Sequence, residues 1–357
     1  MKKRYLIISL LISISQLSVA SEDNDEDKKE SSSPWIFAPL ISSNPKLSNS
    51  AGALAAYIHQ FDPKSPASMF GLTGQYSDSK SWTAGAFAKM YFGEDQHRIL
   101  AASFQGKIFN DYDDFNGLGS TKTTDNLNFF ILRYSTRIFE NWYLGPQVLN
   151  SNYEISDISF NNLPSNDGQA GLIGFDSIGV GIILEYDSRD NQRSAKQGSY
   201  LQTHSVAYRE ELGGDFDFDT YDLKYTYYFP HGSAHVLAIN TSHRITEDAP
   251  PAGYSSVYTK AYTRGQYLAP NSANIQFDER LQFSEKWGMS IYGAVACLYG
   301  KIDSQNIKCG NESNIYPSVA VGAIYTLNKK EGIVVRAEIA DGKGENYGFY
   351  LSFGQPF

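Results

Sequence analysis

Between Trp35 and Phe357 the apolar residues of this chain recur at every second position, and that spacing governs what it can fold into. In the stretch from Tyr221 to Phe229, the set Tyr221, Leu223, Tyr225, Tyr227 and Phe229 alternates with Asp222, Lys224, Thr226 and Tyr228. A strand built from it has one greasy face and one wet face. Ile178, Val180, Ile182, Leu184 and Tyr186 repeat the pattern against Gly179, Gly181, Ile183 and Glu185. Ile275, Phe277, Leu281 and Phe283 do so against Gln276, Asp278, Arg280 and Gln282, with Glu279 breaking the stripe.

The first twenty residues give the compartment. Lys2, Lys3 and Arg4 precede an apolar run from Tyr5 to Leu17, and Ser18-Val19-Ala20 has the small-x-small form of a cleavage site. Residues 1–20 therefore read as a secretory signal peptide, too short for a stable membrane helix. No later stretch reaches eighteen apolar residues, so a membrane crossing would have to be made by strands. Residues 21–34 hold an acidic run from Glu22 to Glu30 and three serines, and read as a flexible periplasmic leader.

Composition suits more than one all-β class. Hydrophobic residues make up 41% and mean hydropathy is -0.37, yet aromatics reach 14% through 25 Tyr and 21 Phe. A barrel in lipid has this profile because only alternate residues face the membrane and aromatic girdles sit at both interfaces. A Tyr-rich soluble sandwich has it too. The net charge of -9 argues against nucleic acid as a partner. Cys297 and Cys309 can close a disulfide in an oxidising compartment, or Cys297 can be a small wall residue. No metal site and no cofactor is implied by two cysteines without a histidine cluster.

Connection lengths decide between sandwich and barrel. Short links at Asp62-Pro63-Lys64-Ser65, Glu140-Asn141, Pro230-His231-Gly232-Ser233, Glu285-Lys286 and Asn328-Lys329-Lys330 alternate with long ones. The long ones run from Asn110 to Asp125, Ile155 to Leu172, Glu247 to Ser272 and Lys301 to Asn314. Short periplasmic turns and long outer loops mark an outer-membrane barrel, and Asp187 to Gln197 is then the one long periplasmic connection. Fifteen strands can be placed from residue 49 onward, and even parity points to Trp35–Ser42, interrupted by Pro39, as the sixteenth. The reading is an all-β transmembrane antiparallel β-barrel over residues 35–357, of sixteen strands with fourteen as the alternative, in the cell outer membrane.

Three segments resemble the bacterial surface-antigen barrels of outer-membrane assembly proteins, the BamA/TamA type. Gly181, Leu184, Tyr186, Asp187, Ser188, Arg189, Asp190 and Asn191, followed by Gly198, are similar to the family's G-x-x-L-x-x-D-[ST]-R-D-N-x(n)-P-x-x-G, with Ala195 where the family has proline. Thr263-Arg264-Gly265-Gln266-Tyr267 resembles [VI]-R-G-[FY], with Thr263 in place of the aliphatic residue and the aromatic one place late. Gly332, Arg336, Glu338 and Ala340, running on to Phe357, resemble the family's closing hairpin. The family's POTRA domains find no counterpart, since about fourteen residues separate Ala20 from Trp35.

The resemblance implies that the long loop folds into the lumen and that Arg264 contacts acidic wall residues. Alternation puts Asp278, Arg280, Arg336 and Glu338 on the inner face as its candidate partners, and Gly265 would permit a tight turn. Asp187, Arg189 and Asp190 read as an ion-paired periplasmic turn. Tyr347, Phe349, Leu351, Phe353 and Phe357 read as one lipid-facing stripe, similar to the signal by which barrel-assembly machinery recognises its clients. Gly348, Gly354 and Pro356 mark the last strand as a weakly paired edge. The function expected is assistance to outer-membrane protein or lipid assembly or translocation, with a separate periplasmic or membrane partner; a passive pore or scaffold is the alternative. An enzyme is not expected. The six histidines, His59, His97, His204, His231, His235 and His243, are scattered in sequence, no Gly-x-Ser-x-Gly elbow is present, and Ser43/Lys46 and Ser77/Lys80 match a Ser-Lys spacing no better than chance.

Overall fold

The alternating segments become strands that close on themselves. The computed structural model describes residues 33–44, 48–112, 120–160, 175–232, 234–302, 305–329, 332–344, 346–355 and 357. The signal peptide and nearly all of the acidic leader lie outside the described residues, as does Pro356. The strands are β1 (Trp35–Asn44), β2 (Ser48–His59), β3 (Ser68–Ser77), β4 (Trp82–Phe92), β5 (His97–Tyr112), β6 (Thr121–Phe139), β7 (Trp142–Phe160), β8 (Phe175–Asp187), β9 (Gly198–Tyr208), β10 (Phe218–His231), β11 (His235–Glu247), β12 (Ser255–Ser256), β13 (Leu268–Ala269), β14 (Asn271–Gln282), β15 (Trp287–Ile302), β16 (Gln305–Ile307), β17 (Ile315–Asn328), β18 (Ile333–Gly342) and β19 (Tyr347–Phe353). No α-helix occurs among the described residues.

Sixteen of these form the wall: β1 to β11, β14, β15, β17, β18 and β19. Each pairs antiparallel with its neighbours, and β19 pairs back to β1. The Pro39-containing segment is the sixteenth strand, as parity required, and fourteen strands is excluded. The remaining three are small: β12 and β13 pair with each other inside the long outer loop, and β16 folds back onto the end of β15. Both ends of the wall, Trp35 and Phe353, lie on the rim that carries the short turns, which is the periplasmic rim of such a barrel.

The barrel is apolar outside and polar inside. Ile275 and Phe277 of β14, Ile291 and Val295 of β15, Val319 of β17 and Ile339 of β18 are exposed, while Gln276, Asp278, Ser290, Ser318 and Glu338 on the same strands are buried. A soluble sandwich requires the reverse, because its apolar faces must meet each other. An exposed greasy belt on a closed wall is stable only in hydrocarbon, where closure leaves no backbone edge unpaired. Aromatic pairs mark the periplasmic interface: Trp35 with Tyr57, Trp142 with Tyr186 and Trp287 with Tyr325, at ring separations of 5.0, 5.1 and 4.7 Å. Glu279, which interrupts its stripe, lies near the same rim and meets His231 at 2.7 Å.

Two connections expected as long loops begin as strand at their described ends. β5 continues to Tyr112, β6 begins at Thr121 and β7 runs to Phe160, so the hairpins reach past where the apolar stripe ends. Threonine favours extended backbone without needing lipid. The inner face there is a polar ladder, with Asn110 Nδ2 donating to Thr123 Oγ1 at 2.7 Å and Thr123 Oγ1 to Asp125 Oδ1 at 2.8 Å. Cys297 and Cys309 are joined, with a Cα separation of 5.5 Å, and tie the β15 end to the segment after β16.

Candidate functional site

The lumen is filled by charges and loops, beginning with β14 and β18. Asp278 and Arg280 of β14, and Arg336 and Glu338 of β18, sit at inward positions two residues apart on their strands, and wall curvature brings the two pairs together. Arg336 forms a bidentate pair with Asp278, Nη2 to Oδ1 at 2.7 Å and Nη1 to Oδ2 at 2.9 Å, and both side chains are 0% exposed. Arg336 Nη2 also reaches Glu338 at 2.8 Å, and Arg280 Nε donates to Asp278 Oδ2 at 2.7 Å. Charges this deeply desolvated persist only when paired in good geometry, as these are.

The outer loop between β11 and β14 descends onto this cluster. Ala261, at φ 74°, is buried against Tyr292, Ala294, Ala320 and Ala340, and its N–H donates to Tyr350 Oη at 3.2 Å. Tyr262 packs edge-on against Tyr316 and donates its hydroxyl to the Pro317 carbonyl at 2.7 Å. The alanines matter because larger wall residues would occupy the space the loop takes. The cation that docks the loop is Lys260, whose ammonium pairs with Glu338 and lies 4.6 Å from the Tyr292 ring centre. Burial pulls the Lys260 ammonium below its ordinary range, against the opposing pull of Glu338.

Arg264 does not take the place expected of it. It is exposed, with its guanidinium 5.4 Å from the Tyr258 ring centre, and the carboxylates foreseen for it are held by Arg280, Arg336 and Lys260. Gly265, at φ 89°, makes the turn, with its N–H donating to Ser256 Oγ at 2.8 Å, and Tyr267 packs beside Tyr316. The loop folds inward as foreseen. Its anchoring cation is four residues earlier than the motif suggests.

In the periplasmic turn after β8, Asp187 and Arg189 form an ion pair, while Asp190 bonds backbone N–H groups instead. Arg189 binds Asp187 through Nε at 2.8 Å and Nη2 at 2.9 Å, and Arg98 of β5 adds a third contact at 3.0 Å. Burial opposes the Arg189 charge, but Asp187 outweighs it and holds the guanidinium above its usual range. Asp190 accepts from the Lys196 N–H and Asn191 from the N–H groups of Arg193 and Ser194, each at 2.9 Å, so both close turns. Gly198 has φ 98°, and a Cβ there would lie 2.2 Å from the Ser188 carbonyl, so only glycine fits. The connection then folds under the lumen. Ala195, where a proline was anticipated, is buried against Tyr228, Val236 and Ala238, and its carbonyl accepts from Arg280 Nη1 at 3.1 Å.

No family model and no curated protein sequence matches the chain. Solved structures do. BamA from Haemophilus ducreyi lacking POTRA domains 1-3 aligns with a TM-score of 0.54 at 12% identity, over 90% of this chain and 70% of that one. CdiB from Escherichia coli gives 0.59 at 10% identity over 89% and 63%, and CdiB from Acinetobacter baumannii 0.56 at 11% over 89% and 59%. The fold is that of the BamA and CdiB barrels. The chain spans about three-fifths of the CdiB chains it matches, and it belongs in the outer membrane.

The chain end departs from the expected stripe. Tyr347 and Phe349 are exposed on the lipid side, whereas Phe353 packs against Ile36, Ala38 and Ile333. Gly354, at φ 89°, sends its N–H to the Val334 carbonyl at 2.8 Å and turns the chain inward. Phe357 consequently lies in the lumen against Tyr228 and Ala238, its main-chain oxygen accepting from Arg280 Nη2 at 3.0 Å. Gln355 accepts from Arg336 Nη1 at 2.6 Å. The five residues therefore do not share one face. Sequence reasoning also missed a second cluster, in which Arg98 binds Asp95 and lies 3.5 Å from the centre of the Tyr143 ring, while Tyr143 donates to Asp95 at 2.6 Å. Inward parity along β5 and β7 was the signal available for it.

Proposed function

We propose that this chain is a non-catalytic outer-membrane barrel of the BamA and CdiB type that assists assembly or translocation of protein or lipid by parting sideways between β1 and β19, with a separate periplasmic or membrane partner. One observation carries this reading. β1 pairs with β19 through three residue pairs, Ile41–Leu351, Ser42–Tyr350 and Ser43–Phe349, whereas β1–β2 has ten and β18–β19 has seven. Pro39 cannot donate to the ladder, and Gly354 carries β19 away from β1, so no described residue of β19 is in register with Ile36 to Leu40. Such an edge presents backbone groups to an incoming strand. The filled lumen weighs against a passive pore, since loops close on the central cluster from both rims.

The test locks the seam. Cysteines at Ile41 and Leu351, in a background with Cys297 and Cys309 replaced by serine, would join β1 to β19 as a disulfide. The reading expects the oxidised barrel to fail, and the reduced one to succeed, in whatever envelope property depends on the protein. If the locked barrel sustains that property as the parent does, the seam is not the working part. Capture of the intact barrel from outer membranes, with identification of what co-purifies, tests the partner separately.

A further inference from the structure

We propose that the periplasmic half of the lumen is a binding site for a phosphate group. A cavity of about 130 Å³ opens there between β4, β5, β6, β8 and β9, on the side of the barrel away from the docked outer loop. Its walls contribute four cations, Lys89, Arg98, Arg133 and Arg189, and two carboxylates, Glu185 and Asp187. Lys224 of β10 is the register partner of Gln202, which lines the cavity, and adds a fifth cation beside it. Asp95 lies behind Arg98 and is shared with Arg137, so that pair leaves the excess unchanged.

The carboxylates are already committed. Asp187 is saturated by Arg189 and Arg98, and Glu185 accepts from Tyr200 Oη at 2.6 Å and Gln202 Nε2 at 3.1 Å. Arg133 is 8% exposed, and its hydrogen bonds, at 3.1 and 2.8 Å, go to the neutral Gln147 Oε1. Lys89 rests 5.5 Å from the centre of the Tyr91 ring. Among the described residues, neither Arg133, Lys89 nor Lys224 has a carboxylate at ion-pair distance. A buried guanidinium with no carboxylate bonded to it, only Glu185 and Asp222 at longer range, is costly, and a group of like charges around one cavity is costlier still. Those costs are removed when an anion with several acceptor oxygens enters, and mixed Arg and Lys donors suit a phosphate. Free phosphate and a phosphorylated headgroup present the same acceptor oxygens to these donors.

The experiment uses the full barrel in detergent, with thermal unfolding read as loss of the compact gel band. At constant ionic strength, inorganic phosphate should raise the unfolding midpoint relative to chloride, as a ligand specific to the folded state must. Lys89→Gln/Lys224→Gln should need at least about tenfold more phosphate for the same shift, each lost charge-assisted contact counting for a factor of that order. Because those lysines have no carboxylate at ion-pair distance, with Asp187 acting on Lys89 only at longer range, the variant should also unfold no earlier than the parent in chloride, which separates loss of the site from loss of the fold. Arg133→Gln gives a second, independent loss of the phosphate response. Glycerol phosphate tested beside inorganic phosphate separates the sources: a larger shift with the ester indicates a headgroup, and a smaller one the free ion. No phosphate-specific shift in the parent, or an equal shift in the variants, overturns the proposal.

Discussion

Asp278→Asn should damage this barrel far more than Arg336→Met, although the two side chains are the two halves of one buried pair. The parent cluster holds three cations, Lys260, Arg280 and Arg336, on two carboxylates, Asp278 and Glu338. Removing Asp278 leaves Arg336 and Lys260 to share Glu338 and leaves Arg280 only the Ala195 and Phe357 main-chain oxygens, with the Arg336 side chain 0% and the Arg280 side chain 8% exposed. Stranding buried charge in this way costs about 3–5 kcal/mol. At 1.4 kcal/mol per decade, the folded-to-unfolded ratio falls by roughly two to three and a half orders of magnitude. Arg336→Met instead leaves two cations on two carboxylates, Arg280 with Asp278 and Lys260 with Glu338, and fills the space with an apolar chain. The loss is then that of hydrogen bonds to charged groups, about 1.5–3 kcal/mol. The double variant should cost less than the sum of the singles, because the two sites share one network. Urea titration of barrels folded into lipid vesicles, read as the compact band on unheated gels, measures all three. Equal losses for the two single variants, or strict additivity in the double, would refute the charge argument.

Lys260→Ala should expose the loop from residue 248 to 270 to protease in the inserted barrel while Arg264→Ala leaves it resistant; the opposite order would restore the arginine as the anchor. Gly198→Ala should lower stability by about 1–3 kcal/mol, the cost of a non-glycine residue in that backbone region, and an unchanged urea midpoint would show that the β8–β9 turn relaxes freely. Deleting Phe357 should reduce recovery in the outer membrane, and normal recovery with an earlier heat transition would assign it to lumen packing rather than to recognition.

The wall was legible because lipid imposes a strict rule on every second residue: β8, β10 and β14 follow directly from their stripes, and the inward parity of Asp278, Arg280, Arg336 and Glu338 follows with them. Gly198 was legible for a different reason, since a motif glycine marks backbone that a side chain cannot adopt. What lay off the wall was harder to read. The loop that carries Lys260 and Arg264 has no period, so nothing local distinguishes which cation meets Glu338, and the resemblance favoured the arginine. The hairpin tops of β5, β6 and β7 lost the apolar signal where they leave the membrane, although Thr121 to Thr124 kept the extended backbone. The inward turn at Gly354 hides within an otherwise regular alternation, and only its positive φ reveals why Phe357 leaves the stripe.

The central claim is that this closed wall has its weak line between β1 and β19. Hydrogen–deuterium exchange on the barrel inserted in lipid, followed residue by residue, tests it most directly, since exchange reports local opening of the ladder. The account predicts fast exchange for those amides of Ile36 to Leu40, Pro39 having none, and of Ser352 and Phe353 that point across the seam, slower exchange for the seam-facing amides of Ile41 to Ser43, and the slowest along β5, β6 and β7. Protection along β1 and β19 equal to that of β6 would contradict it, because a firmly zipped seam has no reason to part.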